Sequence, residues 1–241
     1  DRTYVDQVLA CRVPTPIERE IGFPVNERVS LRARLATAGT VMAARLALSG
    51  GIACNTAGGS HHARRAQGAG FCTFNDVAVA SYLLLADGEV ERVLVIDLDV
   101  HQGDGTAEIC AGIEAIRTVS MHSEKNYPVR KQTSSLDVAL PDGVRDEAYL
   151  ETLAWLLPRS IEGFSPDLVF FNAGVDPHEH DRLGRLSLTD RGLKDRDRQV
   201  FSFFRQRGIP VASVLGGGYS RDVDAVARRH LMTFEAAPEF V

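Results

Sequence analysis

Three aspartates and a histidine stand in the segment Asp97–Asp104, in the pattern D-x-D-x-H-x-x-D. Asp99 and His101 are two residues apart, and in an extended chain such residues project to the same side. Two carboxylates and one imidazole leave an open position on Zn²⁺ for water, and Asp176 is the natural third ligand. In the alternative, structural interpretation, Asp97 and Asp99 cap the next helix and His101 is a satisfied core histidine. We favour the metal site because the whole pattern directly follows an apolar run.

Adjacent histidines, His61 and His62, lie in a glycine-rich loop. A pair of histidines in a loop is typical of a solvated surface. Beside a metal site, however, one of them could act as a general base and then as a general acid. That role requires a carboxylate on the far ring nitrogen to fix the tautomer, and Asp97 and Asp104 are both available for it.

Three glycines, 216–218, precede Tyr219. This segment could be a flexible turn with a packed tyrosine, or its phenol could donate a hydrogen bond to an oxyanion beside a metal. A nucleotide-binding loop is excluded because the G-x-G-x-x-G spacing and the P-loop lysine are both absent.

Alternating apolar runs and helical patterns predict the elements that must position these residues. The apolar runs, typical of strands buried on both faces, lie at 52–55, 93–96, 116–119, 168–171 and 211–215. Helical spacing predicts helices at 31–48, 75–85, 107–110, 146–161, 189–206 and 223–234. This alternation predicts one α/β domain with a mainly parallel sheet flanked by helices on both faces. The stretch 12–26 contains three prolines and predicts a surface excursion.

The candidate residues follow four of the predicted strands, where ligands bind in sheets of this kind. The composition fits one globular domain of 241 residues, and the net charge of −5 argues against nucleic-acid binding. No apolar stretch is long enough to predict a membrane span. The four cysteines form no C-x-x-C pair, which predicts reduced thiols in a cytoplasmic protein.

Several motifs, in this order along the chain, resemble those of the zinc-dependent histone deacetylase superfamily. They are Gly58-Gly59-Ser60-His61-His62-Ala63, Gly70-Phe71-Cys72-Thr73-Phe74-Asn75-Asp76, the segment Val95–Thr106, Asn172–Asp176 with Asp181–Gly184, and Gly216–Tyr219. The form Asn172-Ala173-Gly174, together with Asp181–Leu186 and Arg196-Asp197, is most similar to the class IV branch and its bacterial relatives.

The resemblance implies an arginase/deacetylase-like fold and a role for each matching residue. Asp99, His101 and Asp176 would bind Zn²⁺, or Fe²⁺ in its place. His62, backed by Asp104, would be the general base and acid, and His61, backed by Asp97, its electrostatic partner. Tyr219 would bind the acyl oxygen. The substrate tunnel would be formed by Gly70, Phe71, Tyr127 and Leu183, although the sequence alone favours core packing for Phe71 and Tyr127. A structural K⁺ would be held by Asp97, Asp99, His101, Ser120 and Met121.

The implied activity is removal of an acyl group from N-acyl-lysine, by a deacetylase or a fatty deacylase. One alternative is an amidohydrolase of acylpolyamines or other small N-acyl amines, and another is a non-catalytic metal-binding scaffold. The expected partner is an acylated lysine peptide or a small acylated amine, with no nucleic acid or membrane, and the oligomeric state is left open. The resemblance begins inside the family's domain, so residues 1–241 are expected to form an N-terminally incomplete catalytic domain.

Overall fold

A sheet of six parallel strands lies at the centre of the protein. The computed structural model describes residues 1–241. The strands are β1 (Ile52–Cys54), β2 (Val93–Asp97), β3 (Ile116–Ser123), β4 (Leu136–Leu140), β5 (Leu168–Asn172) and β6 (Val211–Val214). Their order across the sheet is β1-β6-β5-β2-β3-β4, and every neighbouring pair is parallel.

Eight α-helices surround this sheet. They are α1 (Arg2–Leu9), α2 (Thr15–Ile21), α3 (Glu27–Gly50), α4 (Asp76–Ala86), α5 (Asp104–Cys110), α6 (Asp146–Ser160), α7 (Asp190–Arg205) and α8 (Val223–Ala236), followed by a short 3₁₀ helix, Ala237–Phe240. None of them combines the length and the apolar character that crossing a bilayer requires.

The central strands are apolar throughout because each of their faces is covered by helices. In β2, Leu94 and Ile96 belong to the core that includes residues of α6 and α7. Val93 and Val95, which point the other way, belong to the core with α3 and α4. The predicted α/β class with helices on both faces is therefore confirmed.

The loops of the candidate site leave this sheet at one edge. In the parallel register Asp97, the last residue of β2, lies between Ser120 and Asn172. Because parallel strands all point the same way, the segments that follow β1, β2, β5 and β6 meet at their carboxyl ends.

One part of the sequence-based prediction is wrong, and two elements, helix α1 and strand β4, were not predicted. The stretch 12–26 contains helix α2, whose Ile21 packs in a small core with Tyr4, Val8 and Val25. A proline in the first helical turn is compatible with a helix because its missing N–H would have no partner there. Strand β4 was not predicted, because it lies at the sheet edge and its side chains are only alternately buried.

Candidate active site

Asp99, His101 and Asp176 form a buried cluster at the carboxyl edge of the sheet. His101 Nδ1 lies 3.0 Å from Asp99 Oδ1 and 3.1 Å from Asp176 Oδ2. One ligand atom from each residue lies within 4.8 Å of the other two. Asp99 and His101 follow the end of β2 in a bend, not in the strand. The His101 N–H donates to Asp99 Oδ1 at 2.9 Å, so a local turn brings both side chains to the same point.

Backbone amides orient both carboxylates of the cluster. The Gly217 N–H donates to Asp99 Oδ2 at 2.7 Å, and the Val100 N–H donates to Asp176 Oδ1 at 2.9 Å. Burial, and then the nearby Asp99 carboxylate, raise the pKa of Asp176. Two buried carboxylates that repel each other are stabilised by a cation between them. An imidazole nitrogen and two carboxylates are a donor set that fits Zn²⁺ or Fe²⁺.

His61 and His62 are each held by a carboxylate on Nδ1. His61 Nδ1 lies 2.7 Å from Asp97 Oδ2, and His62 Nδ1 lies 2.6 Å from Asp104 Oδ1. The two Nε2 atoms are 3.1 Å apart and therefore converge on one place. Both side chains are buried, so the interpretation as a solvated surface pair is wrong.

The two imidazoles differ in their affinity for a proton. Burial disfavours the charged form of His61, but the Asp97 and Asp99 carboxylates outweigh this and raise its pKa to about 9. Burial, and then the charge of His61, lower the pKa of His62 to about 4. These opposite shifts favour a neutral His62 beside a charged His61, whose Nε2 is within hydrogen-bond distance of His62 Nε2.

Asp76 and Asn75 hold the loop that carries both histidines through hydrogen bonds to its backbone. Asp76 accepts hydrogen bonds from the backbone N–H groups of Gly59 and Ser60, at 3.1 and 2.8 Å. The Asn75 amide donates to the Ala63 carbonyl at 3.1 Å. Gly59 has a φ of +81°, a conformation that favours glycine. Asn75 and Asp76 belong to one of the motifs of the family resemblance, although their types alone indicate no such role.

Tyr219 lies near the metal-ligand candidate His101 and the aromatic residue Phe71. Its ring centroid is 6.1 Å from that of His101 and 5.8 Å from that of Phe71. Asp181 accepts a hydrogen bond from the Tyr219 N–H at 2.6 Å and so fixes the segment. Burial, and then the carboxylates of Asp99 and Asp176, raise the pKa of Tyr219, so the phenol keeps its proton and remains a donor.

Of the four residues predicted to form the tunnel and its mouth, Gly70 and Phe71 line the cavity that reaches the histidines, and Tyr127 and Leu183 do not. Phe71, Tyr127 and Leu183 are 51%, 38% and 44% exposed, which excludes plain core packing for the two aromatic residues. The Tyr127 ring lies 4.8 Å from the His62 ring. Gly70 has a φ of +52°, and a Cβ there would lie 2.6 Å from His62 Cδ2, so the chain passes too close for a side chain. A cavity of about 260 Å³ passes Phe71 and Tyr219 and reaches His62.

The five residues assigned to K⁺ lie together at the ends of β2 and β3. Asp97 and Ser120 are partners in the register, and all five residues are buried. The Ser120 hydroxyl lies 2.9 Å from His122 Nδ1. A K⁺ site at this position stays a prediction.

Sequence reasoning assigned no role to two asparagines of the site. The Asn172 amide donates to Asp97 Oδ1 at 3.0 Å and lies 3.2 Å from His61 Nδ1. The Asn126 amide donates to the Leu183 carbonyl at 2.6 Å and lies 3.4 Å from His101 Nε2. Asn172 ends a strand beside Asp97, which is a usable signal, whereas nothing near Asn126 in the sequence indicates its contacts.

Arg196 is a fully buried arginine beneath the two loops that carry the cluster. Its Nη1 donates to the carbonyls of Gly174 and Leu98, and its Nε donates to Asp197 Oδ1 at 2.8 Å. Asp197 in turn accepts from the Thr233 hydroxyl at 2.6 Å. The guanidinium therefore connects the loop before Asp99 to the loop before Asp176.

We expect Arg196→Met to lower the free energy of unfolding by about 3–5 kcal/mol, because it leaves the buried Asp197 carboxylate without its charge partner. Urea denaturation of the purified variants measures this loss. Arg191→Met is the control, because the Arg191 side chain is 88% exposed in an ion pair of its own. A loss of less than about 1 kcal/mol, as for exposed pairs, would contradict the expectation.

We expect Gly217→Ala to weaken metal binding by about 10- to 100-fold, the usual effect of disturbing groups around metal ligands. A Cβ at this position would contact Asp176 Oδ2 and would lie 2.9 Å from Asp99 Oδ2. Calorimetric titration of the metal-free protein with Zn²⁺ measures the affinity. Gly50→Ala is the control, because a Cβ there has no neighbour within 4 Å. Equal affinities in the two variants would show that the close approach of Gly217 is not required.

Two carboxylates and an imidazole beside two carboxylate-backed histidines, at the carboxyl edge of a parallel sheet, suit metal-assisted hydrolysis. The chain belongs to the histone deacetylase family, whose model, described as the histone deacetylase domain, matches residues 1–236. The family resemblance inferred from the motifs is therefore confirmed. Its assignment to the class IV branch stays a prediction.

Proteins with similar sequences support the family assignment. An uncharacterized protein of Picosynechococcus sp. is 47% identical over 220 residues, which cover 91% of this chain and 73% of the relative. Histone deacetylase 2 of Arabidopsis thaliana is 33% identical over 202 residues, 83% of this chain and 52% of the plant protein. The chain thus spans about half the length of the plant relative.

Solved structures share the fold. A histone deacetylase homologue from Aquifex aeolicus superposes with a TM-score of 0.83 at 26% identity, over 99% of this chain and 68% of the homologue. A histone deacetylase homologue complexed with SAHA has a TM-score of 0.84 at 27% identity, over 99% and 68% of the two chains. Acetylpolyamine aminohydrolase from Burkholderia pseudomallei has a similar fold, with a TM-score of 0.80 at 22% identity. The superposition covers 100% of this chain and 81% of that protein.

Proposed function

We propose that this chain hydrolyses the amide bond of N-acyl-lysine, with His62 as the general base and acid. The observation that carries this proposal is the convergence of the two Nε2 atoms, 3.1 Å apart, beside the cluster of Asp99, His101 and Asp176. An imidazole that stays neutral near neutral pH therefore stands next to a set of metal ligands, where it can accept a proton from an acidified water.

In the proposed reaction Asp99, His101 and Asp176 hold a divalent metal ion. The ion would supply Lewis acidity toward the acyl carbonyl and lower the pKa of the attacking water. His62 takes the proton of that water on Nε2, while Asp104 holds Nδ1 in the donor tautomer. The same nitrogen then gives the proton to the departing lysine amine. His61, paired with Asp97, places a positive charge beside the developing negative charge.

Tyr219 and the mouth residues bind the substrate in this scheme. The Tyr219 hydroxyl donates a hydrogen bond to the acyl oxygen as negative charge develops there. Phe71 and Tyr127 pack against the lysine methylene groups, and Leu183 and Gly70 complete the rim.

The proposed metal is Zn²⁺, with Fe²⁺ as the alternative, and K⁺ would be bound by Asp97, Asp99, His101, Ser120 and Met121. All four cysteines are free, which supports a cytoplasmic location.

A panel of peptides carrying acetyl to myristoyl groups on lysine tests this function. The deacylated lysine side chain of each peptide is measured after incubation with the zinc-loaded protein. His62→Ala is the inactive control. Turnover of acetyl-lysine supports a deacetylase, and preference for long chains supports a fatty deacylase. Turnover of acylpolyamines in place of all the peptides would shift the substrate to small amines. No turnover of any compound with Zn²⁺ bound would support the non-catalytic scaffold.

A further inference from the structure

A third side chain stands behind His62 and Asp104. The Asp104 carboxylate is fully buried, with 0% exposure of its side chain. Its Oδ1 binds His62 Nδ1, and its Oδ2 accepts from Arg64 Nη2 at 3.0 Å and from Arg64 Nε at 3.3 Å. Only these two side chains bind the carboxylate, so Arg64 supplies every donor that Oδ2 has.

Arg64 binds Asp104 from the side of the carboxylate that faces away from His62. It comes two residues after His62 in the same loop, and its backbone N–H donates to the Gln67 carbonyl at 2.8 Å, which turns the chain back. Its side chain is 29% exposed and lines a groove outside the active site, beside Tyr82 and Ile109. The side-chain hydrogen bonds of Arg64 all end on Asp104, and its second ion-pair partner, Glu108, lies 4.0 Å away.

We propose that Arg64 is a positioning residue for proton transfer, which binds Oδ2 of Asp104 and thereby keeps Oδ1 directed at His62 Nδ1. This inference rests on the proposed function, in which His62 is the general base. The terminal torsion of a carboxylate is soft, so its rotation is set by the donors that bind it. Without Arg64, the buried Oδ2 loses its donors, and the carboxylate turns toward another donor or draws in water. The ring of His62 then has a less fixed orientation.

The Arg64→Met variant tests this role, since methionine keeps much of the volume and has no donor. We expect kcat to fall about tenfold with KM unchanged, at the lower end of the effects of residues that orient a catalytic histidine. Arg64→Lys, which returns a charged donor, is expected to recover most of kcat. The rates are expressed per zinc-loaded, folded protein, so a loss of stability alone does not change them.

Arg65→Met is the matched control. Arg65 is the adjacent arginine, and its guanidinium donates to the Ile109 carbonyl at 3.0 Å and not to Asp104. We expect its kcat to equal that of the wild type. An equal fall in Arg64→Met and Arg65→Met would overturn the proposal, because the effect would then come from surface charge in general.

Combining Arg64→Met with Asp104→Asn separates this inference from the proposed function. If Arg64 acts through Asp104, Arg64→Met lowers kcat in the wild type and has no further effect on Asp104→Asn. The same fall in both backgrounds would overturn the inference and leave the proposed function intact. Wild-type turnover by Asp104→Asn would instead overturn the proposed role of His62 and Asp104, and the role of Arg64 with it.

Discussion

Replacing Tyr219 by phenylalanine is expected to lower kcat by about 10²–10³-fold, the usual cost of removing one donor to a developing oxyanion. The hydroxyl is the only group removed, so the ring keeps its contacts with Phe71 and His101. Because burial and the nearby carboxylates raise the pKa of Tyr219, the wild-type phenol is a donor at every pH used for the assay.

Steady-state kinetics with an acetyl-lysine peptide measure the loss in Tyr219→Phe. The fall is expected mainly in kcat, because the hydrogen bond strengthens as charge develops on the acyl oxygen. Tyr82→Phe is the control, since the Tyr82 hydroxyl binds the Ile109 carbonyl far from the mouth. If Tyr219→Phe kept wild-type turnover, the phenol would not be the oxyanion donor.

Replacing Asp176 by asparagine is expected to abolish both metal binding and activity. The substitution keeps the size of the side chain and removes one of the two carboxylate ligands. In the wild type, metal is expected to stabilise the fold by about 4 kcal/mol when free metal exceeds its Kd by about 1,000-fold. The variant should lack this gain, because its cluster has lost a negative charge that a divalent ion requires.

Thermal unfolding with and without Zn²⁺, after dialysis against a chelator, measures the effect of Asp176→Asn. The wild type should lose activity and Tm on chelation and recover both when Zn²⁺ is added. Asp195→Asn is the control, since Asp195 pairs with Arg191 on the surface of α7. A rise in Tm on adding Zn²⁺ to Asp176→Asn as large as that of the wild type would exclude Asp176 as a ligand.

Five of the six strands and six of the eight α-helices could be predicted because local pattern and burial agree. The run 93–96 is apolar at every position, and each of its residues is buried on one face or the other. Strand β4 escaped prediction because an edge strand buries only part of its side chains. Helix α2 escaped because its prolines indicate a loop in sequence terms, whereas packing of Ile21 against Tyr4 and Val8 supports a helix.

The candidate site, like the fold, could be predicted from the sequence only in part. Asp99 and His101 could be paired from their spacing alone, although a turn and not a strand brings them together. The residue types left open whether Asp97 or Asp104 backs His62, and the family resemblance assigned Asp104. In the structure Asp104 binds His62 and Asp97 binds His61, so that assignment agrees with the geometry.

By itself, the sequence determined the class of fold, the family and the segments that carry the chemistry, because apolar runs and short motifs are local. Only the tertiary structure decided which donors meet which acceptors. The Asn172 amide donates to Asp97 across 75 residues of chain, and Arg196 donates to the Leu98 carbonyl across 98. Such contacts depend on the order of strands in the sheet and on the path of each loop. Local sequence does not encode these distances, since they arise when distant segments pack together.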